Sequence, residues 1–389
     1  MTTHTDSRNS RPLRIALVAP LVTPIAPPFL GGAQALLHEL GLGLARHGHH
    51  VTLFAASGSR FEGLVESDLA VKLNVVEVPI KPGELTPADF QARSSGQAGT
   101  DQAFFRQSEL FLQTFLAINR ADPPFDIAHA HAFDWPAFAL GPLSAVPVVH
   151  TVHLPSLDRN INAIIRAAYE KTGRSGAVTV SKACAQTYAA DFPFDRVIYN
   201  GIDTAQIPVG MGAGGFLLFA GRIAPEKGPD LAIEIAKRAG KKLVLAGGIY
   251  DQAFFDEKIA PALEENNNAS YIGILEREKL YRLMGQAEGL LFCSRWEEAF
   301  GLVLVESLAT GTPVIAWRRG AAPEIVSEGE TGFLLNFMDV EGMVRAVRRL
   351  GELDRSEGRR QIERRFSLNK MLDDYVNYYC EVCARCRTL

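Results

Sequence analysis

The chain has 389 residues, 47% of them apolar and 22% charged, and a formal net charge of −4 at pH 7. That length predicts two domains, each able to bury its own core. The near-neutral balance excludes the basic footprint of a nucleic-acid binder and a polybasic membrane patch, so a small-molecule partner is expected.

Residues 1–13 are polar and lack a signal-peptide core, and the apolar run at 15–30 is interrupted by Pro20, Pro24, Pro27 and Pro28, so it does not read as a membrane helix. A cytoplasmic protein is expected. Of five cysteines, Cys380, Cys383 and Cys386 crowd the end of the chain. C-x-x-C-x-x-C could bind a metal or an iron–sulfur cluster, but it lacks a fourth ligand nearby and sits in a helical-looking sequence, so these read as plain helical cysteines.

In chain order, the apolar run 14–19 leads through a Pro- and Gly-rich loop into helical spacing at 33–47, with Leu36, Leu37, Leu40 and Leu44 on one face, and strand character returns at 49–55. This strand-loop-helix-strand unit opens a doubly wound sheet, in which ligands collect beyond the carboxyl ends of the strands. Gly31 and Gly32 in that loop bring backbone N–H groups close to an anion or sugar, or simply make a tight turn into the helix. The loop at 24–30 is a candidate contact for a membrane surface and a lipid acceptor, although prolines and a Phe equally describe a packed turn. Residues 81–99 read either as an acceptor-side flap or as disorder, ahead of a helix at 102–119.

The segment F-D-I-A-H-A-H-A-F-D-W at 125–135 is a strand running into a loop, with His129 and His131 on one face. Two histidines at this spacing could ligate a metal, but no carboxylate or third histidine with ligand spacing supports it. Strands follow at 147–153, ending in His153, and at 177–181. The pattern breaks at 204–215, where one proline and four glycines suggest a linker. The second half then repeats the architecture, with strands at 216–220, 242–246, 271–273, 289–293 and 313–316 and helices at 230–239, 278–287 and 302–310. Its strands are apolar on both faces, as a covered parallel sheet requires. Helices dominate beyond Asn336, and the last, at 368–386, is long enough to cross back to the first domain.

Arg222 leaves a strand end and Lys227 precedes a helix start marked by Pro229. Two cations beside a helix N-terminus suit a diphosphate without a metal, though the same pair also describes a solvated surface. No Asp-x-Asp occurs in the chain to hold a divalent cation on a nucleotide diphosphate. Glu298 falls in a loop and Glu306 within the helix that follows. Both can accept hydrogen bonds from sugar or ribose hydroxyls, while backbone N–H groups at Phe300, Gly301 and Leu302 begin the helix.

The motifs G-R-I-A-P-E-K-G, E-A-F-G-L-V-L-V-E and G-T-P-V-I-A, followed by G-A-A-P-E-I-V and G-E-T-G-F-L, resemble the family-4 retaining glycosyltransferases of the GT-B fold. The similarity covers nearly the whole chain, since G-G-A-Q, G-H-H-V-T-L-F, H-A-H-A-F-D-W and V-I-Y-N-G-I-D match in order. It implies two Rossmann-like domains facing across a cleft: residues 1–203 on the acceptor side, with 368–389 packed back on them, and residues 204–367 holding the donor. The resemblance gives Arg222 and Lys227 to the donor diphosphate, Glu306 to the ribose, Glu298 to the hydroxyls of the transferred sugar, and the N–H groups of Phe300, Gly301 and Leu302 to sugar or phosphate. Gly31 and Gly32 would approach the diphosphate, His131 the sugar near the reacting carbon, and Gln34 the acceptor. His153 stands at a matching strand end where the family's role varies, and the loops after Gly247 and Gly273 would hold the base.

The implied activity is transfer of a hexose from a nucleotide diphosphate sugar, with UDP or GDP as the carrier type, to a hydroxyl acceptor with retention. No metal or cofactor is implied. Two rivals share the architecture: a sugar-nucleotide 2-epimerase, which needs no acceptor, and a non-catalytic nucleotide-sugar binding protein.

Overall fold

A computed structural model describes residues 11–27, 29, 31–61, 72–80, 101–170 and 175–387. The stretch 81–99, expected as flap or disorder, lies outside the described residues. The chain divides into two compact units, one holding the residues up to Val180, Ala185–Tyr199 and the chain from Leu368, the other Ser181–Cys184 and Asn200–Ser367.

The first unit carries a parallel sheet of β1 (Arg14–Val18), β2 (His50–Ala56), β3 (Leu73–Val78), β4 (Ile127–Ala130), β5 (Val148–Val152), β6 (Ser175–Thr179) and β7 (Arg196–Val197), in the order β3-β2-β1-β4-β5-β6-β7. Strands β1, β4 and β5 are buried almost throughout, so neither of their faces can be polar; this is why they read as continuous apolar runs. A core of Ala16, Val18, Phe54, Phe111, Phe115 and Ala128 lies between the sheet and helix Asp101–Asn119. Each fully buried Leu, Ile or Phe in such a core contributes about 2 kcal/mol of transfer free energy.

Helix Leu368–Arg387 belongs to this unit and packs on helix Gly32–Arg46. The approach is close at Gly43, where a Cβ would lie 2.6 Å from Leu372 Cδ1. Tyr375, Tyr378 and Tyr379 on the same helix are almost fully buried. Cys380, Cys383 and Cys386 sit in it as ordinary helical residues, with Cys383 Sγ 3.4 Å from the carbonyl of Asp126. The described part of the loop at 24–30 is a packed turn: Ile25 is buried, its N–H donates to Ser59 Oγ at 2.9 Å, and Phe29 lies against His38. Among the described residues no helix is long and apolar enough to cross a membrane.

The second unit repeats the plan with β8 (Phe216–Ala220), β9 (Lys242–Ala246), β10 (Ala269–Tyr271), β11 (Gly289–Phe292), β12 (Val314–Trp317) and β13 (Gly332–Leu335), all parallel, in the order β10-β9-β8-β11-β12-β13. Strand β10 begins two residues before its expected position, and the Ile272 N–H just past its end still donates to Leu245 O of β9 at 3.0 Å. Residues 204–215 lie in this unit. Their backbone is tied down by Gly210, Gly212 and Gly214 N–H groups donating to the carbonyls of Thr310, Gly285 and Gln286.

In both sheets the order reverses once, between β1 and β4 in the first unit and between β8 and β11 in the second. At such a reversal the connections leave in opposite directions and open a crevice beyond the carboxyl ends of the two strands. The segments that follow those four strands carry nearly all the residues singled out from the sequence.

Candidate active site

In the second unit, β8 ends at Ala220, Gly221 and Arg222 come next, and a short helical turn Pro225–Lys227 follows. Gly228 adopts φ +69°, and a Cβ there would meet the carbonyl of Cys293, so this turn lies directly on the segment leaving β11. The contact is reinforced by the Arg295 N–H, which donates to Glu226 O at 2.7 Å. Its consequence is a side-chain pair: Lys227 Nζ lies 2.5 Å from Glu298 Oε2, with the two side chains only 19% and 18% exposed. Arg222 faces elsewhere. Its guanidinium stands 4.3 Å from the centre of the Tyr250 ring and 3.5 Å from Glu226 Oε1.

The two helix starts in this region differ. Helix Pro229–Ala239 has Asp230 in its first turn, and Arg295 grips that carboxylate at 2.9 and 2.6 Å, so an anion already sits at its positive end. Helix Leu302–Ala309 begins at Gly301 with φ +86°, has no acidic residue in its first turn and no side-chain cap. That start is better disposed to receive an anion. Phe300 contributes through its backbone only, because its ring is buried against Phe366.

Glu298 is held from below by Gly320. The Ala321 N–H donates to Glu298 O at 2.9 Å, and Gly320, with φ +53°, leaves only 2.6 Å between a hypothetical Cβ and both Glu298 N and O. Glu306 has separate partners. The Tyr281 hydroxyl donates to its Oε1 at 3.1 Å, and Arg277 Nε lies 3.9 Å from the same oxygen while bonding to Tyr281. Burial raises the Glu306 pKa above the usual carboxylate value, opposed by the Arg277 charge and the Tyr281 hydrogen bond. The loops after Gly247 and Gly273 adjoin, with the Gly247 N–H donating to Gly273 O at 2.8 Å, and they expose Ile249, Tyr250, Ile272 and Ile274.

In the first unit Gly31 and Gly32 are exposed at the start of helix Gly32–Arg46, which has no side-chain cap and no acid in its first turn. Gly31 is extended, at φ −163°. Gln34 donates from its amide to Thr23 Oγ1 at 2.5 Å. His131 follows β4, its N–H donating to Val18 O at 2.9 Å, and its Nδ1 lies 2.9 Å from Nε2 of His153, which follows β5. Burial holds both imidazoles in the neutral form: the His153 pKa falls to about 4, and that of His131 falls well below its ordinary value, helped by the neighbouring histidines. His129 lies within hydrogen-bond reach of Tyr379, Thr151 and His131.

Two family models match consecutive parts of the chain. Glycosyltransferase Family 4 matches residues 30–206, and Glycosyl transferases group 1 matches residues 212–366. The chain belongs to the family-4 glycosyltransferases.

Relatives of this glycosyltransferase include the D-inositol 3-phosphate glycosyltransferase of Mycolicibacterium smegmatis, 25% identical over an alignment of 371 residues that covers 85% of this chain and 81% of that one. Among solved structures, sucrose-phosphate synthase from Thermosynechococcus elongatus superposes with a TM-score of 0.76 at 18% identity, covering 95% of this chain and 99% of that one. Anabaena HepE in complex with UDP gives a TM-score of 0.72 at 16% identity, covering 95% and 100%. The two parallel-sheet units are those of the GT-B fold.

Several residues of the candidate site have no signal in the local sequence. Tyr281 and Arg277 reach Glu306 from the preceding helix, Tyr250 lies under Arg222, and Gly320 supports Glu298. The motif containing Gly320 is visible in the sequence. Its role as a close backbone approach is not.

Proposed function

We propose that this glycosyltransferase moves a hexose from a nucleotide diphosphate sugar to a hydroxyl acceptor, with retention at the anomeric carbon and without a metal. The observation that carries this reading is the half-buried Lys227–Glu298 pair beyond the ends of β8 and β11, beside the uncapped start of helix Leu302–Ala309. A cation and a carboxylate held together there can exchange partners when a donor enters. Lys227 takes the diphosphate and Glu298 takes the sugar hydroxyls.

Arg222, turning from Tyr250 and Glu226, supplies the second charge on the diphosphate, and the N–H groups of Gly301 and Leu302 add the helix-start field. Glu306, oriented by Tyr281, accepts from the ribose. The exposed apolar side chains of Ile249, Ile272 and Ile274 supply a surface for the base. That HepE was solved with UDP and with UDP-glucose supports a nucleotide sugar as donor. In the first unit we assign Gly31 and Gly32 to the diphosphate, His131 to the sugar near the reacting carbon, Gln34 to the acceptor and His153 to the support of His131.

In the transfer step the bond from the anomeric carbon to the diphosphate oxygen breaks as the bond to the acceptor oxygen forms on the same face. The acceptor proton passes to the departing phosphate oxygen. Charge grows on that leaving group, and Arg222, Lys227 and the helix start stabilise it; removal of one such group costs about 10²- to 10³-fold in kcat. The test is a panel of nucleotide sugars and acceptors with Lys227→Ala and Arg222→Ala as controls, product configuration read by NMR and activity repeated with a chelator. Retained configuration, insensitivity to the chelator and loss in both variants are expected. An inverted product, an epimerised sugar formed without acceptor, or donor bound and unaltered with every acceptor overturns the reading.

A further inference from the structure

A buried run of hydrogen bonds in the first unit connects the C-terminal helix to His131. Tyr379 places its hydroxyl 2.6 Å from His129 Nδ1. The other ring nitrogen, His129 Nε2, lies 2.7 Å from Thr151 Oγ1, which lies 3.0 Å from the Tyr375 hydroxyl. His129 Nδ1 is also 3.3 Å from His131 Nε2, and His131 Nδ1 is 2.9 Å from His153 Nε2. His129, His131, Thr151, Tyr375 and Tyr379 are all at most 5% exposed.

Burial lowers the pKa values of His129 and His131 and raises that of Tyr379, so the rings are neutral and the phenol keeps its proton. A neutral imidazole has one N–H and one bare nitrogen. The run therefore has two self-consistent arrangements. When Tyr379 donates to His129 Nδ1, His129 carries its proton on Nε2 and donates to Thr151. His131 then carries its proton on Nε2, turned toward the same His129 nitrogen, whose single lone pair it shares at the longer distance with the Tyr379 hydroxyl, and accepts from His153 at Nδ1. When His129 donates from Nδ1 instead, His131 Nε2 is bare and His131 donates to His153. A mixed state sets two bare nitrogens or two N–H groups against each other in a site with little access to water.

We propose that Tyr379 and Thr151 are positioning residues that, through His129, hold His131 in one tautomer and one ring orientation for sugar transfer. The inference rests on the role proposed for His131 above. It extends the working parts of the first unit to the last helix, with Tyr379 and His129 separated by 250 positions in sequence. Neither Tyr379 nor Thr151 is placed at the substrate, so both act at one remove.

The test uses full-length protein labelled with ¹⁵N at histidine, read by ring-nitrogen NMR without ligand, alongside steady-state kinetics. Tyr379→Phe and Thr151→Val each remove one hydroxyl and preserve shape, and they approach the run from opposite ends of His129. The wild type is expected to show one N–H-type and one bare-type nitrogen for both His129 and His131. In each variant the two rings shift together toward values averaged between tautomers, and kcat falls about tenfold with donor KM changed by less than about twofold. His131 signals that stay fixed in both variants overturn the proposal, as does a kcat unchanged in both. A wild-type protein that transfers no sugar defeats the proposed function, while the ring-nitrogen shifts still decide whether Tyr379 sets the state of His131.

Discussion

Replacing Lys227 by Met leaves the Glu298 carboxylate without the ammonium that stands 2.5 Å away, at a position where both side chains are less than one-fifth exposed. Exposed ion pairs contribute about 0.2–1 kcal/mol, and breaking a fully buried one costs about 3–5 kcal/mol. A pair at this depth, discounted for its remaining solvent contact, should couple by about 2 kcal/mol. The coupling is isolated by a cycle of Lys227→Met, Glu298→Gln and the double variant, because each single change also alters desolvation. The second unit spans Ser181–Cys184 and Asn200–Ser367, a size at which 1 kcal/mol moves the midpoint by roughly 2–4 °C. The pair is therefore worth about 4–8 °C in calorimetric unfolding of the ligand-free protein. A saturating nucleoside diphosphate gives Lys227 a competing anion, so the coupling should fall to less than half in its presence. A ligand-free coupling below about 0.5 kcal/mol, or one that the nucleotide leaves unchanged, would refute the partner-exchange reasoning.

Gly320→Ala puts a side chain on a residue at φ +53° and drives its Cβ against the Glu298 backbone, so a stability loss of at least about 1–2 kcal/mol should accompany a roughly 10- to 100-fold loss in kcat/KM. Gly240→Ala shares the strained φ, at +67°, with no atom within 4 Å; it should lose stability and keep its kinetics, and equal kinetic losses in both variants would sink the argument. Glu306 has a raised pKa in the folded protein, so the fold binds its proton more tightly than the unfolded chain does. The ionised group then destabilises the ligand-free protein at neutral pH, and this penalty is relieved as pH falls through the raised value. Glu306→Gln should accordingly melt above the wild type at neutral pH with the gap closing on acidification, and a pH-independent gap would be the contrary result.

Much of the architecture is readable before any coordinates. Strands buried on both faces have no room for polar side chains, so Phe216–Ala220 and Lys242–Ala246 stand out as short apolar runs and coincide with β8 and β9 to the residue. Helix starts and stops are equally local, as Pro229 at one start and Gly311 after one end illustrate. Strand β3, at Leu73–Val78, has no such signature, because it is the edge of its sheet and carries Asn74 and Glu77, which break the apolar run. The candidate residues were legible as motif members, and Glu298 and Glu306 could be told apart by their positions in loop and helix. Their partners could not.

The amino-acid sequence alone determined the two-fold repetition of a parallel α/β plan and membership in a glycosyltransferase family. These follow from periodicity, turn residues and ordered motifs, all of which act over a few residues at a time. Only the tertiary structure decided which charges meet: Lys227 with Glu298, Asp230 with Arg295, Glu306 with Tyr281, and His129 with Tyr379. Side chains reach these partners because sheet order brings distant strand ends together and the last helix returns to the first unit. No short-range pattern encodes a contact made across so many intervening residues.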